Sequence, residues 1–344
     1  MEEIRAKKVN GRVSLYFGAL VLLACIFLLI PARPVSALTI SPPSFDYSLD
    51  AGDTALGVLR VFNETQFTET FYPSVMNFGA NSDENGTPQF YPADEDRMGQ
   101  GLAEWISVDT TKIELAPGER YNLPFSINVP ENNPRPGGHY GAIILASSPP
   151  VQGNVAVGIS SKLASIILVR IAGDVKEIGS IAEFGFTNPK SWYNYPPIEM
   201  FLRFENAGNV HLRPTGNLII TNWYGHRVAN IELNSEFKSV LPLSVRRFDL
   251  VWGDESNSDG LSQLDREIRN FAIGKYTVRL IVNYGTSNQI LTAERVFYVW
   301  PWRLMLIGGL GFVLALMVLI WIKRTYDRSL IRRFSRKQED KSDY

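Results

Sequence analysis

The chain has 344 residues, 34 Lys and Arg against 35 Asp and Glu, and a formal net charge of −1. The even total conceals a split: residues 1–37 hold 5 basic and 2 acidic residues and residues 303–344 hold 9 and 4, which leaves residues 38–302 with 20 basic against 29 acidic, a formal −9. An acidic region of that size argues against nucleic acid as a partner, and no cofactor motif or catalytic constellation stands out, so the expectation is a non-enzymatic protein that uses no cofactor.

The first 37 residues read as an export leader. Arg5, Lys7, Lys8 and Arg12 form a basic start, 13–30 is largely apolar, and Val35-Ser36-Ala37 offers small residues for cleavage after Ala37. The apolar run is long, so a retained anchor stays open, and Leu22-Leu23-Ala24-Cys25 leaves lipidation at Cys25 open as well. Each outcome places residues 38–302 outside the cytoplasm. Cys25 is the single cysteine. The exported part therefore has no covalent staples and must rest on core burial, a pattern that fits a bacterial protein. For that reason the glycosylation-like triplets Asn63-Glu64-Thr65 and Asn85-Gly86-Thr87 are discounted.

Residues 38–175 are expected to form a first β domain. Strands are read at 54–62 (TALGVLRVF), 70–78, 121–129 (YNLPFSINV), 142–146 and 166–171. The 121–129 segment alternates with period two as a half-buried strand does, and the last two are continuously apolar as buried strands are. Pro117-Gly118-Glu119 is a turn. The polar stretch 81–101 is read as one long loop.

Residues 176–299 are expected to form a second β-sandwich. Strands are read at 200–204, 218–223, 227–233, 247–252, 276–284 and 291–299, with turns at 206–209, 224–226 and 285–288. Between Trp252 and Gly274, Leu261, Leu264 and Ile268 recur at helical spacing. No proline- or serine-rich stalk separates Val299 from Trp300, so the second domain is expected close to a bilayer.

Residues 304–322 carry no charge across nineteen positions, with Trp300 and Trp302 before them and Lys323-Arg324 after. This predicts a transmembrane helix over 303–322. The tail, 323–344, is rich in Lys and Arg and predicts a cytoplasmic C-terminus, a single-pass cell-membrane protein with its ectodomain outside. Trp302-Arg303-Leu304 spells W-x-L but lies at the membrane border, where indole rings anchor.

Candidate site residues are few. His139, His211 and His226 are the only histidines, and none is spaced with another for a metal. Gly137, Gly138, His139 and Tyr140 are the candidate ligand-binding residues, because a glycine cluster lets backbone approach something closely, a ligand or a neighbouring strand. The start of a strand is the blander reading of the same residues. Asp94-Glu95-Asp96 is read as a solvated acidic loop rather than a calcium site. Trp192, Tyr193 and Tyr195 before Pro196-Pro197 are assigned to packing between domains rather than to sugar stacking. Ser160-Ser161-Lys162 is read as the flank of a strand rather than a nucleophile pair.

Ile40-Ser41-Pro42-Pro43, Ala51-Gly52-Asp53, Val61-Phe62-Asn63-Glu64-Thr65, Trp105-Ile106, Leu115-Ala116-Pro117-Gly118-Glu119, Val129-Pro130 and the run from Pro136 to Ile143 occur in this order. Together they resemble the N-terminal domain of the WxL-interacting proteins of Gram-positive bacteria. The layout of signal peptide, two immunoglobulin-like β-sandwich domains, one C-terminal span and a basic tail is similar to that family too. The resemblance covers most of 38–145. It implies peptidoglycan attachment by the first domain and surface-protein partners for the second, and transfers no ligand residue. An envelope-assembly factor with a chaperone-like first domain, offering a strand edge to an exported client, is the alternative.

Overall fold

The structure, a computed structural model, describes residues 38–96, 99–148, 162–253 and 262–339, with side chains to Tyr326. The leader with Cys25, the Ser160-Ser161 pair, Leu261 and most of the basic tail's side chains lie outside the described residues. Among the described residues the chain forms seventeen strands, two α-helices and one 3₁₀ turn. The all-β class read from the sequence is the one observed, as two stacked pairs of sheets and then a long helix.

In the first sandwich, β1 (Leu38–Ser41), β3 (Thr54–Asn63), β8 (Arg120–Asn128) and β6 (Ile106–Val108) form one sheet in the order β1-β3-β8-β6. The other sheet runs β2 (Ser44–Leu49), β10 (Lys162–Ile171), β9 (Gly137–Ala146), β4 (Glu69–Ala80), β5 (Pro88–Tyr91), and β7 (Ile113–Leu115) pairs with the start of β4. Leu59, Val61, Leu123 and Ile127 face Ile143, Leu145, Ile167 and Val169 across the core. Between β1 and β2 the chain changes sheets at Pro42-Pro43, where two residues without an N–H cannot extend a ladder; β2 then runs parallel to β10.

Strand β9 is buried along its whole length. One face packs into the sandwich core. The other packs Tyr140, Ala142 and Ile144 with Phe78 and Leu168, under Leu241 of the second domain. Burial on both faces is why 142–146 reads as continuously apolar.

The second sandwich sets β11 (Gly179–Phe186), β12 (Ile198–Asn206) and β15 (Ser244–Trp252) against β14 (Arg227–Leu233), β13 (Thr215–Asn222), β16 (Gly274–Tyr284) and β17 (Gln289–Val299). Met200, Leu202 and Phe204 meet Leu218, Ile220, Val278 and Leu280 in its core. Helix α1 (Gln263–Arg269) carries Leu264 and Ile268, as their spacing predicts, and is capped by Ser262, whose Oγ accepts from the Asp265 N–H. Helix α2 (Trp302–Glu339) begins shortly after β17 ends. Its stretch Trp302–Tyr326, 25 residues containing an 18-residue window of mean hydropathy 2.6, is long and apolar enough to cross a membrane. At 1.5 Å per residue it measures about 37 Å, against about 30 Å of bilayer hydrocarbon.

The structure corrects two readings. The expected loop over 81–101 contains β5, paired with the far end of β4 through Asn77↔Tyr91 and Phe78↔Phe90. A four-residue strand with two aromatics leaves too little periodicity to be seen; its partner is what orders it. Trp192 and Tyr193 do not pack between domains. Tyr193 is buried in the second domain's own core against Phe186 and Phe297, and Trp192 stays exposed beside it.

Buried asparagines shape the loops. Asn63, inside a glycosylation-like triplet, is fully buried and donates from Nδ2 to the carbonyls of Phe67, Leu115 and Ala116. Asn77 donates to the carbonyls of Ala93 and Glu95 at 2.9 and 3.1 Å, and accepts from Leu102 and Ala103 N–H at 2.8 Å each. One side chain thus folds the whole segment after β5.

Candidate functional site: a groove at the domain junction

The glycine cluster lies where the two sandwiches meet. Gly138 donates its N–H to the Asn209 carbonyl at 2.8 Å, and Asn209 belongs to the turn after β12. The Asn209 amide then clasps the linker: its Oδ1 accepts from Lys176 N–H at 2.7 Å and its Nδ2 donates to the Asp174 carbonyl at 2.9 Å. Gly137 has φ +117, and a Cβ there would stand 2.5 Å from the Asn209 oxygen. The backbone that the glycines let approach is therefore that of the neighbouring domain.

His139 and Tyr140 are buried, at 3 % and 1 % exposure. The His139 ring nitrogens face backbone carbonyls, Nδ1 at 3.1 Å from Gly101 and Nε2 at 2.8 Å from Arg135, and its ring lies 4.3 Å from that of Trp105. The Tyr140 ring meets the edge of His211 from the second domain at 5.8 Å. The four candidate residues are thus brought together, in contact with protein on every side chain that has one. Asp96, from the acidic triplet, accepts from Gln100 and Gly101 N–H at 2.8 and 3.1 Å. Among the described residues no group of three His, Cys, Asp or Glu could hold a metal ion.

Charged contacts brace the junction, among them those of Asp46 and Glu84. Asp46 on β2 meets His211 Nε2 at 3.3 Å and Arg213 Nη2 at 2.5 Å. Burial pushes the Asp46 carboxyl up, but the hydrogen bond and charge of His211 together with Arg213 outweigh it and hold it below its ordinary value. Glu84 takes a two-pronged contact from Arg203, at 2.8 Å from Nε and 2.6 Å from Nη2. That hydrogen bonding lowers the Glu84 carboxyl. The Glu84 carbonyl also accepts the Arg247 N–H of β15 at 2.8 Å.

Beside this seam lies a groove of about 270 Å³. Phe78, Ile166, Leu168 and Leu241 form its apolar wall, and Phe237, Lys238 and Arg246 its rim. Phe237 and Leu243 hold positive φ, +53 each, yet are 62 % and 68 % exposed. A bulky residue in that region costs of order 1–3 kcal/mol and persists only where its surroundings impose it. At Phe237 Asn234 does so, donating to the Pro214 and Lys238 carbonyls and accepting from Lys238 N–H, at 2.8 Å each. Arg246 donates to the Ser239 carbonyl at 2.7 Å, and its guanidinium lies against Gly86, where any Cβ would collide with it. Among the described residues no carboxylate comes within ion-pairing distance of Arg246. Burial pulls its pKa below the ordinary value, against the charges of Glu236 and Asp83. Nothing in the sequence marks Phe237 or Arg246; only the meeting of two domains gives them a common cavity.

No protein-family model matches the chain, and no curated protein matches it. Among solved structures it is similar to the class 5 fimbriae chaperone CfaA, at 12 % identity over 76 % of this chain and 99 % of that one, with a TM-score of 0.33. The E. coli chaperone DraB shows 12 % identity over 76 % of this chain and 96 % of its own, with a TM-score of 0.31. The CsuC–CsuE pre-assembly complex of Acinetobacter baumannii matches at 12 % identity over 64 % of this chain and 91 % of that one, with a TM-score of 0.29. Values this low carry no argument about activity.

Two outcomes are expected from the junction. Gly137→Ala forces a side chain into left-handed backbone and onto the Asn209 carbonyl, a cost of about 1–3 kcal/mol borne by domain docking; distances between spin labels on the two domains are expected to broaden while both sandwiches stay folded. Acid is expected to act on the same seam. The Asp46 and Glu84 pKa values are lowered by folding, so their contribution is full above the ordinary carboxylate range and lost as pH falls through the folded values. The label distances should therefore hold at pH 7 and broaden progressively as the pH falls below about 4, the ordinary carboxylate range; a distribution that stays unchanged throughout an acid titration counts against the charged brace.

Proposed function

We propose that this protein is a single-pass, membrane-anchored binding protein whose two sandwiches stand outside the cytoplasm and take up cell-wall polymer or another surface protein at the junction groove. The observation that carries this reading is the groove itself: an apolar wall, the exposed Phe237 side chain held in strained backbone, and a guanidinium without a carboxylate partner among the described residues. Such a surface recognises and holds; it offers no nucleophile–base pair. The apolar helix, the acidic sandwiches and the basic tail support the topology. The likeness of 38–145 to WxL-interacting proteins supports peptidoglycan as one ligand. In a sedimentation assay, the detergent-solubilised full-length protein is expected to be retained by isolated cell wall at moderate salt. Arg246→Glu, which replaces a charge-assisted donor by a repelling group, is expected to reduce retention about tenfold or more. Equal retention of both proteins overturns the groove as the binding site.

A second reading, an assembly factor for an exported client, rests on one edge. Strand β2 pairs with β10 only from Ile166 onward, and among the described residues no strand lies on that side of 162–165. Ile166 donates to the Pro43 carbonyl at 3.1 Å, so by alternation the Ala164 N–H points to the open side. A client strand could add there. Co-purification of one defined exported protein, abolished by Ala164→Pro, is the expected result for this reading; recovery without any client refutes it.

A further inference from the structure

The exposed aromatic side chains of the second sandwich are unevenly placed. Trp223 and Tyr224, at the tip of the β13–β14 hairpin, lie ring to ring at 3.6 Å and are 59 % and 67 % exposed. Trp223 lies against Gly274, whose Cβ position is 3.0 Å from the indole. Gly274 pairs with Val299 at the end of β17, and Trp300 and Trp302 come next in the chain. Tyr193 is tied to the same edge, donating its N–H to the Tyr298 carbonyl and accepting from Trp300 N–H, which holds exposed Trp192 there. On the other side, α1 brings Ile268 and, just past its end, Phe271, 54 % and 61 % exposed. These groups ring the root of α2.

The root is rigidly joined to the domain. Glu267 on α1 has no exposure; its carboxylate accepts from Arg303 Nη1 at 2.9 Å and from the Leu304 N–H at 3.1 Å. It thereby satisfies a first-turn donor of α2 that has no intrahelical partner, and places negative charge at the positive end of the helix dipole. Arg303 also bonds Gln263 and stacks over Trp302. A helix held this way cannot tilt away from its domain freely.

We propose that this end of the second sandwich is a membrane-embedded surface: the Trp223-Tyr224 hairpin tip and the Ile268–Phe271 segment sit in the headgroup and upper acyl region around α2. The reading rests on α2 being a membrane anchor, and goes beyond it by assigning a folded domain face to the bilayer. Continuity with the helix root names the occupant. Indole and phenol rings prefer that depth because one end is apolar and the other wet. Arg227, Arg269 and Lys275 are exposed around the same end, with Asp265 the opposing carboxylate on α1, so the rim suits anionic phospholipid headgroups. The consequence is a fixed stance: the domain junction is carried at a set height and orientation above the membrane rather than on a swinging tether.

Full-length protein with Cys25→Ser, reconstituted in phosphatidylglycerol–phosphatidylcholine vesicles, provides the test. Single cysteines replacing Tyr224, Phe271, Phe67 or Leu314 are labelled with an environment-sensitive fluorophore and exposed to lipids carrying either a shallow nitroxide or, for Leu314→Cys, one at the end of the acyl chain. Phe67, 73 % exposed on the first domain, reports water; Leu314, within the apolar helix, reports lipid. The expected result is blue-shifted emission and several-fold stronger quenching at Tyr224→Cys and Phe271→Cys than at Phe67→Cys. Water-like signals at 224 and 271 with a quenched Leu314→Cys overturn the embedded face and leave the anchor standing. A Leu314→Cys probe that is itself unquenched overturns both.

Discussion

The arrangement of this molecule depends on one close approach, the Gly138 N–H against the Asn209 carbonyl. A Cβ on Gly137 would stand 2.5 Å from the Asn209 carbonyl oxygen, and glycine at that position leaves the gap the approach needs. The Asn209 amide then gathers the linker through Lys176 and Asp174. Once this contact forms, the second domain covers the outer face of β9, and a strand that would otherwise expose Tyr140 and Ile144 becomes buried on both sides. Charged contacts at Asp46 and Glu84 extend the same junction. They are partly solvated, so they orient the domains more than they stabilise them.

The groove is a by-product of that docking. Its wall comes from β4 and β10 of one domain and Leu241 of the other, its rim from the 234–246 segment. The positive-φ backbone at Phe237 is imposed by Asn234, a polar residue acting at a distance from the cavity it shapes. A similar logic operates at the opposite end, where the buried carboxylate of Glu267 fixes the first turn of α2. Both ends of the second sandwich are thus set by single polar side chains that satisfy backbone groups, and the apolar surfaces beside them are presented as a result.

Legibility differed by element for physical reasons. Strands with long periodic or continuously apolar runs, such as β8 and β9, announce themselves because burial acts on every second residue or on all of them. β5 does not, since Phe90 and Tyr91 are its whole signal and its order comes from β4. The glycines of the 137–140 cluster stand out in the sequence; the backbone they approach does not. The aromatic group around Trp192 and Tyr193 was noticed, but its place in the second domain's core depends on Phe186 and Phe297, of which Phe297 is distant in sequence.

By itself the sequence determined the class of fold, the apolar helix at the C-terminal side, the charge division and the presence of a tight backbone approach near residue 138, because each is written in local composition and spacing. Only the tertiary structure decided that the approach is to Asn209, that Arg246 lines a cavity with Phe78, and that Trp223, Phe271 and Trp302 share one end of the molecule. Those relations join residues tens to more than a hundred positions apart, and no local pattern encodes a contact whose partner belongs to another strand or another domain.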